Sequence, residues 1–204
     1  MAADLTSAIL NLSAPSSPAR LTAASEIYRH GRGLAERAVF PWWQDWELAR
    51  LLLGPKPRVT VGVAVQRETF ARIRAANGSP ALADVPPDQD AEEFELHFAD
   101  GVALDVLTSK DPRGPGAIAR YLTRFGEGIQ QVEFLCLDIE RATNILRERF
   151  GVAPLYPQAR SGAGRSTINF FLVPVPDAAA ESRKVLIELY QLPVAPSPAP
   201  GSNN

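Results

Sequence analysis

The sequence predicts an α+β protein in which one β-α-β-β-β module occurs twice behind a helical extension. Three observations lead to this prediction. From Arg58 onward, a strand, a helix and further strands follow one another twice. Alternating β-branched runs are separated by Gly, Asn and Asp turn signals. The preceding residues show helical spacing. We therefore place an extension at 1–57 and a two-module domain at 58–192, with modules at about 58–110 and 128–192.

The extension is predicted to contain two helices. Apolar residues at helical spacing over 20–53 predict them, with a turn at Gly31, Gly33 and Pro41. The cluster of Phe40, Trp42, Trp43 and Trp46 has too little partner surface within 57 residues to form its own core. We expect these aromatic residues to cover the outer helices of the modules or to form a dimer contact.

The two ends of the chain are predicted to be mobile tails. Residues 1–19 are small and polar with two prolines, and residues 193–204 are rich in Pro, Ser, Gly and Asn. Neither segment has enough apolar surface to offset the entropy lost on ordering.

Local signals set the elements of each module. In the first module we predict a strand at 59–66, a helix at 67–76, and strands at 93–99 and 102–108. Three prolines in 79–92 make any strand there short or irregular. A linking helix at 116–125 follows. The second module has a strand at 129–137, a helix at 139–150, and strands near 153–156, 166–173 and 184–191.

Strand alternation separates an apolar face from a polar face, because successive side chains point to opposite sides. The polar set comprises Thr60, Glu95, His97, Asp105, Gln131, Glu133, Asn169, Glu188 and Tyr190. For Glu95 and His97, on an outer strand, ordinary solvent exposure explains the pattern. Asp105 and Glu188 differ, since a carboxylate between apolar neighbours needs water, a cation or a hydrogen-bond partner.

The entry to the second module resembles a known family. Residues 126–137 read Gly-Glu-Gly-Ile-Gln-Gln-Val-Glu-Phe-Leu-Cys-Leu. This stretch is similar to the Gly-x-Gly-Ile-His-His-hydrophobic motif of methylmalonyl-CoA epimerases, in the vicinal oxygen chelate (glyoxalase and bleomycin-resistance-like) superfamily. A helix start at 138–140, a Ser-Gly-Ala-Gly loop at 161–164 and a closing strand at 185–189 follow in the family's order. The resemblance implies an open, cupped sheet around one site.

The resemblance also implies where a metal would bind. The family's four ligand positions fall on Thr60, Asp105, Gln131 and Glu188. Two imidazoles are replaced by Thr60 and Gln131, and an all-oxygen set suits Mg, Mn or Ca better than Zn or Ni. We expect no metal or a weakly bound divalent ion.

The implied function is that of an epimerase-like isomerase, or a glyoxalase-type lyase, acting on a small carbonyl or acyl-CoA ligand in the cup. Glu188 and Glu133 are the candidate catalytic acid and base, and Gln131, Asn169 and Tyr190 the candidate ligand contacts. Loss of both histidines leaves a second class open, a non-catalytic protein that sequesters or senses a small molecule.

Composition excludes other classes of function. The formal net charge is -2 with no long run of one sign, so neither a nucleic acid nor a membrane is an expected partner. The single cysteine, Cys136, forms no internal disulfide and is expected to be buried. No signal-like segment is recognised at the N-terminus, so a cytoplasmic location is expected. A homodimer remains open.

Overall fold

One mixed seven-stranded sheet organises the molecule. The computed structural model describes residues 5–54, 57–176 and 184–193. The strands are β1 (Val59–Ala64), β2 (Glu92–His97), β3 (Ala103–Thr108), β4 (Gly128–Leu135), β5 (Arg160–Ser161), β6 (Thr167–Pro174) and β7 (Lys184–Gln191). Their order is β2-β3-β1-β4-β7-β6-β5, curled into a half-barrel. The predicted α+β class with an open, cupped sheet is confirmed.

The sheet has internal two-fold character. β1 pairs in parallel with β3, β4 pairs in parallel with β7, and β1 and β4 run antiparallel at the centre. Each module contributes one helix to the convex face, α4 (Arg67–Ala76) and α6 (Ile139–Phe150). Both helices have the predicted bounds. The Asp138 carboxylate caps α6 by accepting from the backbone N–H of Arg141 at 2.9 Å, and Gly151 ends it in the left-handed conformation.

The N-terminal residues are more ordered than their composition predicts. Helices α1 (Leu5–Asn11) and α2 (Ser17–Ala38) occupy most of the segment for which a mobile tail was predicted, so that prediction is wrong for residues 5–19. The side chains of Ile9 and Leu12 are fully buried. A short apolar segment was sufficient because the sheet and α2 supply the surface that it lacks itself.

Helix α2 also runs without a break through Gly31 and Gly33, where a turn was predicted. The helix crosses the convex face of the central strands, and a Cβ on Gly31 would lie 2.6 Å from Cγ1 of Val61. Gly31 is therefore a point of close helix–sheet approach. From helix propensity alone, a glycine at this position would be expected to interrupt the helix.

The two glycines of α2 provide a matched test of this packing. We expect Gly31→Ala to destabilise the protein by about 1–3 kcal/mol, because a new methyl would overpack a contact with the fully buried Val61. Gly33→Ala meets only the end of the Arg37 side chain at 3.7 Å, so its better helix propensity is expected to stabilise by about 0.5–1 kcal/mol. Urea unfolding of both variants checks this, and equal effects would contradict the close-approach explanation.

Ion pairs connect the rest of the extension to the second module. After a 3-10 turn (Phe40–Gln44), Asp45 caps the N-terminus of α3 (Trp46–Leu51). The Arg149 guanidinium of α6 bonds the carboxylates of Asp45 at 2.7 Å and Glu47 at 2.6 Å. The extension and the sheet share one hydrophobic core, so the extension is part of the domain's packing.

The aromatic cluster divides into buried and exposed members. Trp42 is 2% exposed and packs edge-on against Phe171, and Trp43 packs against Phe134. Phe40 and Trp46 remain largely exposed. The expected covering role therefore belongs to Trp42 and Trp43.

Several smaller expectations can be compared with the structure. No strand forms at 79–91, and the strand predicted near 153–156 is reduced to one bridge between Pro154 and Phe171. The linking helix, α5, spans Ala117–Phe125. Cys136 is buried as predicted, and burial raises the pKa of its thiol to about 11. Of the predicted C-terminal tail, residues 194–204 lie outside the described residues. No helix within the described ranges is long and apolar enough to cross a membrane.

Candidate functional site

The concave face of the sheet encloses a cavity of about 940 Å³. Its base is a group of polar side chains that we call the acidic floor: Glu93, Glu95, Asp105, Gln131, Glu133 and Glu188. Tyr156, Phe170 and Tyr190 form part of the wall. A cavity of this volume is within the range of small-molecule sites.

Strand register brings the floor together from four strands. Asp105 on β3 lies opposite Glu95 on one side and Gly62 on the other, and Gly62 lies opposite Gln131. Glu133 lies beside Glu188 across the parallel β4–β7 pair. Residues directly opposite on one face of a sheet have neighbouring side chains. Positions remote in the chain therefore converge through pairing.

Gly62 makes room for the central amide of the floor. A Cβ at this position would lie 2.5 Å from Cγ of Gln131, so the Gln131 side chain passes over a position that must lack one. Here the glycine is required by close approach rather than by backbone conformation.

Gln131 links two carboxyl groups. Its amide Nε2 donates to Oε2 of Glu188 at 2.7 Å and to Oε1 of Glu133 at 3.1 Å. Asp105 is 6% exposed, and its Oδ1 has no hydrogen-bond partner among the described residues. A buried oxygen without a partner is costly, and this one belongs to a residue that lines the cavity.

Burial and mutual repulsion favour protonation of the acidic floor. Burial, followed by repulsion from neighbouring carboxylates, raises the pKa values of Asp105 and Glu188 well above the usual range. Burial also raises the pKa of Glu133 to about 7, against the opposing hydrogen bond from Gln131. The pKa of Glu93 rises to about 7, again chiefly through burial. The cavity therefore presents neutral and ionised carboxyl groups together near neutral pH.

Of the four positions that the family resemblance assigns to a metal, three lie in the cavity wall. Asp105, Gln131 and Glu188 line the cavity, whereas Thr60 is buried in β1 opposite Glu133 and is not part of the cavity wall. The Gln131 amide presents its donor end to Glu188, and a metal would require the oxygen. Within the described residues no three His, Cys, Asp or Glu side chains are grouped to hold an ion.

Of the three predicted ligand contacts, Gln131 and Tyr190 line the cavity and Asn169 does not. Tyr190 lines the cavity with Glu188, its neighbour two residues earlier on β7. Asn169 does not line the cavity, because Ile168 and Phe170 take the concave positions of β6. Asn169 lies opposite the fully buried Leu189, and its amide donates to the carbonyl oxygen of Tyr156 at 3.3 Å. Asn169 is therefore a buried residue whose side-chain amide is hydrogen-bonded within the protein core.

The sequence analysis missed several lining residues, and Gln130 and Glu93 are two polar examples. Gln130 joins Gln131 in the cavity wall because the β1–β4 register shifts between Gly62 and Val63. Such a shift has no reliable sequence signal. Glu93, in contrast, could have been found by extending the alternation of Glu95 and His97 by one step along β2.

Loops from both modules meet at the mouth of the cavity. Arg160 pairs with Asp88 at 2.5 Å, and the Gln89 amide donates to the carbonyl oxygen of Ser161 at 2.9 Å. Asp90 accepts from the Ser109 hydroxyl and from the backbone N–H of Asp111. These carboxylates are engaged in loop structure, away from the acidic floor.

No protein-family model matches the sequence, and no curated protein matches it either. Solved structures do. Methylmalonyl-CoA epimerase from Mycobacterium tuberculosis superposes with a TM-score of 0.52 at 27% identity, covering 65% of this chain and 85% of the enzyme. The fold is that of the methylmalonyl-CoA epimerases. The resemblance predicted from the glycine turn at 126–128 is thereby confirmed.

Two further structures support the same fold. A variant of the Streptomyces coelicolor methylmalonyl-CoA epimerase, in complex with 2-nitronate-propionyl-CoA, has a TM-score of 0.51 at 25% identity, covering 68% of this chain and 96% of the other. A hypothetical protein from Bacillus halodurans C-125 has a TM-score of 0.52 at 19% identity over the same shares. The epimerase fold extends over about two thirds of the chain.

Proposed function

We propose that this protein binds a small carbonyl compound or acyl-CoA in the cavity and moves a proton at the carbon next to the carbonyl. The observation that carries the proposal is the pairing of Glu133 and Glu188 through Gln131 on the acidic floor. The epimerase fold, at 25–27% identity to two such enzymes, supports it.

The proposed reaction assigns a role to each carboxyl group. The carboxylate of Glu188 takes the α-proton as the C–H bond breaks, and the electron pair moves into the enolate. A neutral carboxyl group of the acidic floor donates a hydrogen bond to the enolate oxygen, and Glu133 returns a proton to carbon. Acids with raised pKa values suit this work, and Glu133, whose pKa burial raises to about 7, populates both protonation states near neutral pH.

The proposal needs no tightly bound transition metal. A neutral carboxyl group can stabilise negative charge on oxygen by hydrogen bonding, which is one task of a metal in enolate chemistry. We propose that Zn and Ni are not bound tightly, and that any ion held is a weakly bound Mg, Mn or Ca. The separation of Thr60 from the cavity wall supports this view.

Exchange of the α-proton with deuterated solvent tests the proposed function. Methylmalonyl-CoA and a neutral ketone such as cyclohexanone are incubated with the protein in the presence of EDTA, and with added Mg or Mn. We expect metal-independent exchange of the neutral ketone, reduced at least about 100-fold by Glu188→Gln because general acid–base catalysis is lost. Methylmalonyl-CoA, which carries a free carboxylate, is the acyl-CoA comparison. Glu148→Gln, an exposed change on α6, is the matched control and is expected to leave exchange unchanged.

Two outcomes would contradict this proposal. Exchange that survives Glu188→Gln would refute the assignment of the base, and exchange that requires a stoichiometric transition metal would refute the metal-independent chemistry. Replacement of the family's imidazoles by Thr60 and Gln131 favours the second candidate function, non-catalytic binding. Ligand binding without any exchange would establish that candidate instead.

A further inference from the structure

The charges around the cavity are strongly one-sided. Five carboxyl groups belong to the acidic floor, and Asp88, Asp90 and Asp111 lie nearer the mouth. Among the described residues, Arg160 is the one cation that lines the cavity, and it is paired with Asp88. Lys110, which lies near Glu93, is exposed and bonds the carbonyl oxygen of Gln89. The cationic side chains of the wall therefore neutralise little of the negative charge of the acidic floor.

A specific atom on the floor is left without a partner. Oδ1 of Asp105 is buried and unbonded within the described part of the chain, although both oxygens of an aspartate are strong acceptors. Burial, followed by repulsion from Glu93, Glu133 and Glu188, disfavours its charged form and raises its pKa. A cationic donor from a ligand would satisfy this oxygen and reduce the repulsion at the same time.

Aromatic rings lie beside Glu188, on the other side of the acidic floor. Phe170 lies opposite Glu188 on the neighbouring strand, and Tyr190 follows on the same face of β7. Tyr156 packs edge-on against Phe170 and already carries the Arg160 guanidinium 4.7 Å above its ring. Rings beside carboxylates favour organic cations through both charge and ring-face attraction.

We propose that the cavity selects ligands that present a protonated amine to the acidic floor, between Asp105 and Glu188, and rejects ligands that present a carboxylate there. This inference rests on the cavity of the proposed function and narrows its substrate class to amine-bearing carbonyl compounds. A dicarboxylic acyl group would place its free carboxylate against three buried acids, and like charges at short range in a poorly solvated site repel strongly.

A matched series of probes tests this selectivity. Benzylamine, benzyl alcohol and benzoate share one ring and differ in charge, and their binding can be followed by NMR titration of the protein. We expect benzylamine to bind at least about tenfold more tightly than benzyl alcohol, as hydrogen bonds to charged groups commonly provide. Benzoate is expected not to bind.

Asp105→Asn keeps the shape of the side chain and removes its capacity to ionise beside a bound ammonium group. We expect this variant to lose about tenfold of the preference for benzylamine over benzyl alcohol, whereas Glu148→Gln keeps the preference. Benzoate binding as tightly as benzylamine, no binding of benzylamine, or an unchanged preference in Asp105→Asn would overturn the inference. Amine selectivity without α-proton exchange would refute the proposed chemistry alone, and exchange without amine selectivity would refute this inference alone.

Discussion

Replacing Trp42 with alanine is expected to destabilise the protein by about 3–5 kcal/mol, the usual range for truncation of a buried large aromatic residue. Trp42 is 2% exposed and contacts Phe171 of β6 edge-on, so the change would leave a cavity between the N-terminal extension and the second module. Domains of this size have a total stability of about 5–15 kcal/mol, and the loss would be a large part of it. Chemical denaturation measures the effect.

The chain offers a control within four residues. Trp46 is 69% exposed and contacts the Arg50 guanidinium through its ring face, so Trp46→Ala is expected to change stability by less than about 1 kcal/mol. A similar loss in both variants would mean that helix propensity in the extension, rather than packing on the sheet, sets stability. An unaffected Trp42→Ala would show that the extension contributes nothing to the shared core.

Stability is expected to fall as the pH rises from about 5 to about 8, opposite to the behaviour of paired carboxylates. Burial raises the pKa of Glu133 from 4.5 to about 7. The folded state therefore holds its proton where the unfolded state has released it. The contribution of Glu133 to the free energy of unfolding is fully present below pH 4.5, and it is lost as the pH rises through about 7. Asp105, Glu188 and Glu93 are shifted in the same direction.

Glu133→Gln isolates one contribution to this slope. Glutamine keeps an acceptor for the Gln131 amide and removes the charge, so we expect stabilisation of about 1–3 kcal/mol near pH 8 and little change near pH 5. Urea unfolding at both pH values measures it, with Glu148→Gln as the exposed control. Asp45 and Glu47 do not oppose the slope, because the hydrogen bonds from Leu48 and Arg149, respectively, lower their pKa values below this pH range.

The acidic floor lowers the free energy of unfolding near neutral pH, so we expect it to serve a function. Sites that combine perturbed acids with an apolar wall commonly trade stability for chemistry or for ligand selectivity. Here the same groups serve both proposals. Glu133 and Glu188 flank Gln131, and Asp105, which lines the cavity, keeps one buried oxygen without a hydrogen-bond partner among the described residues.

Local regularities let the sequence by itself determine the duplicated module, the bounds of α4 and α6, and the shared face of Asp105, Gln131, Glu133 and Glu188. Strand alternation and helix caps depend on neighbours within a few residues, so they can be interpreted without a structure.

Only the tertiary structure decided the features that depend on distant partners. A glycine stands at position 31 inside a helix because the helix packs closely on Val61 and leaves no room for a side chain. Gln130 reaches the cavity because the β1–β4 register shifts. Asn169 points towards the core through its pairing with Leu189. The raised pKa of Glu188 likewise depends on burial first, and then on repulsion from Glu133 and Glu93. Packing, register and desolvation are properties of the assembled sheet, and no local window of sequence contains them.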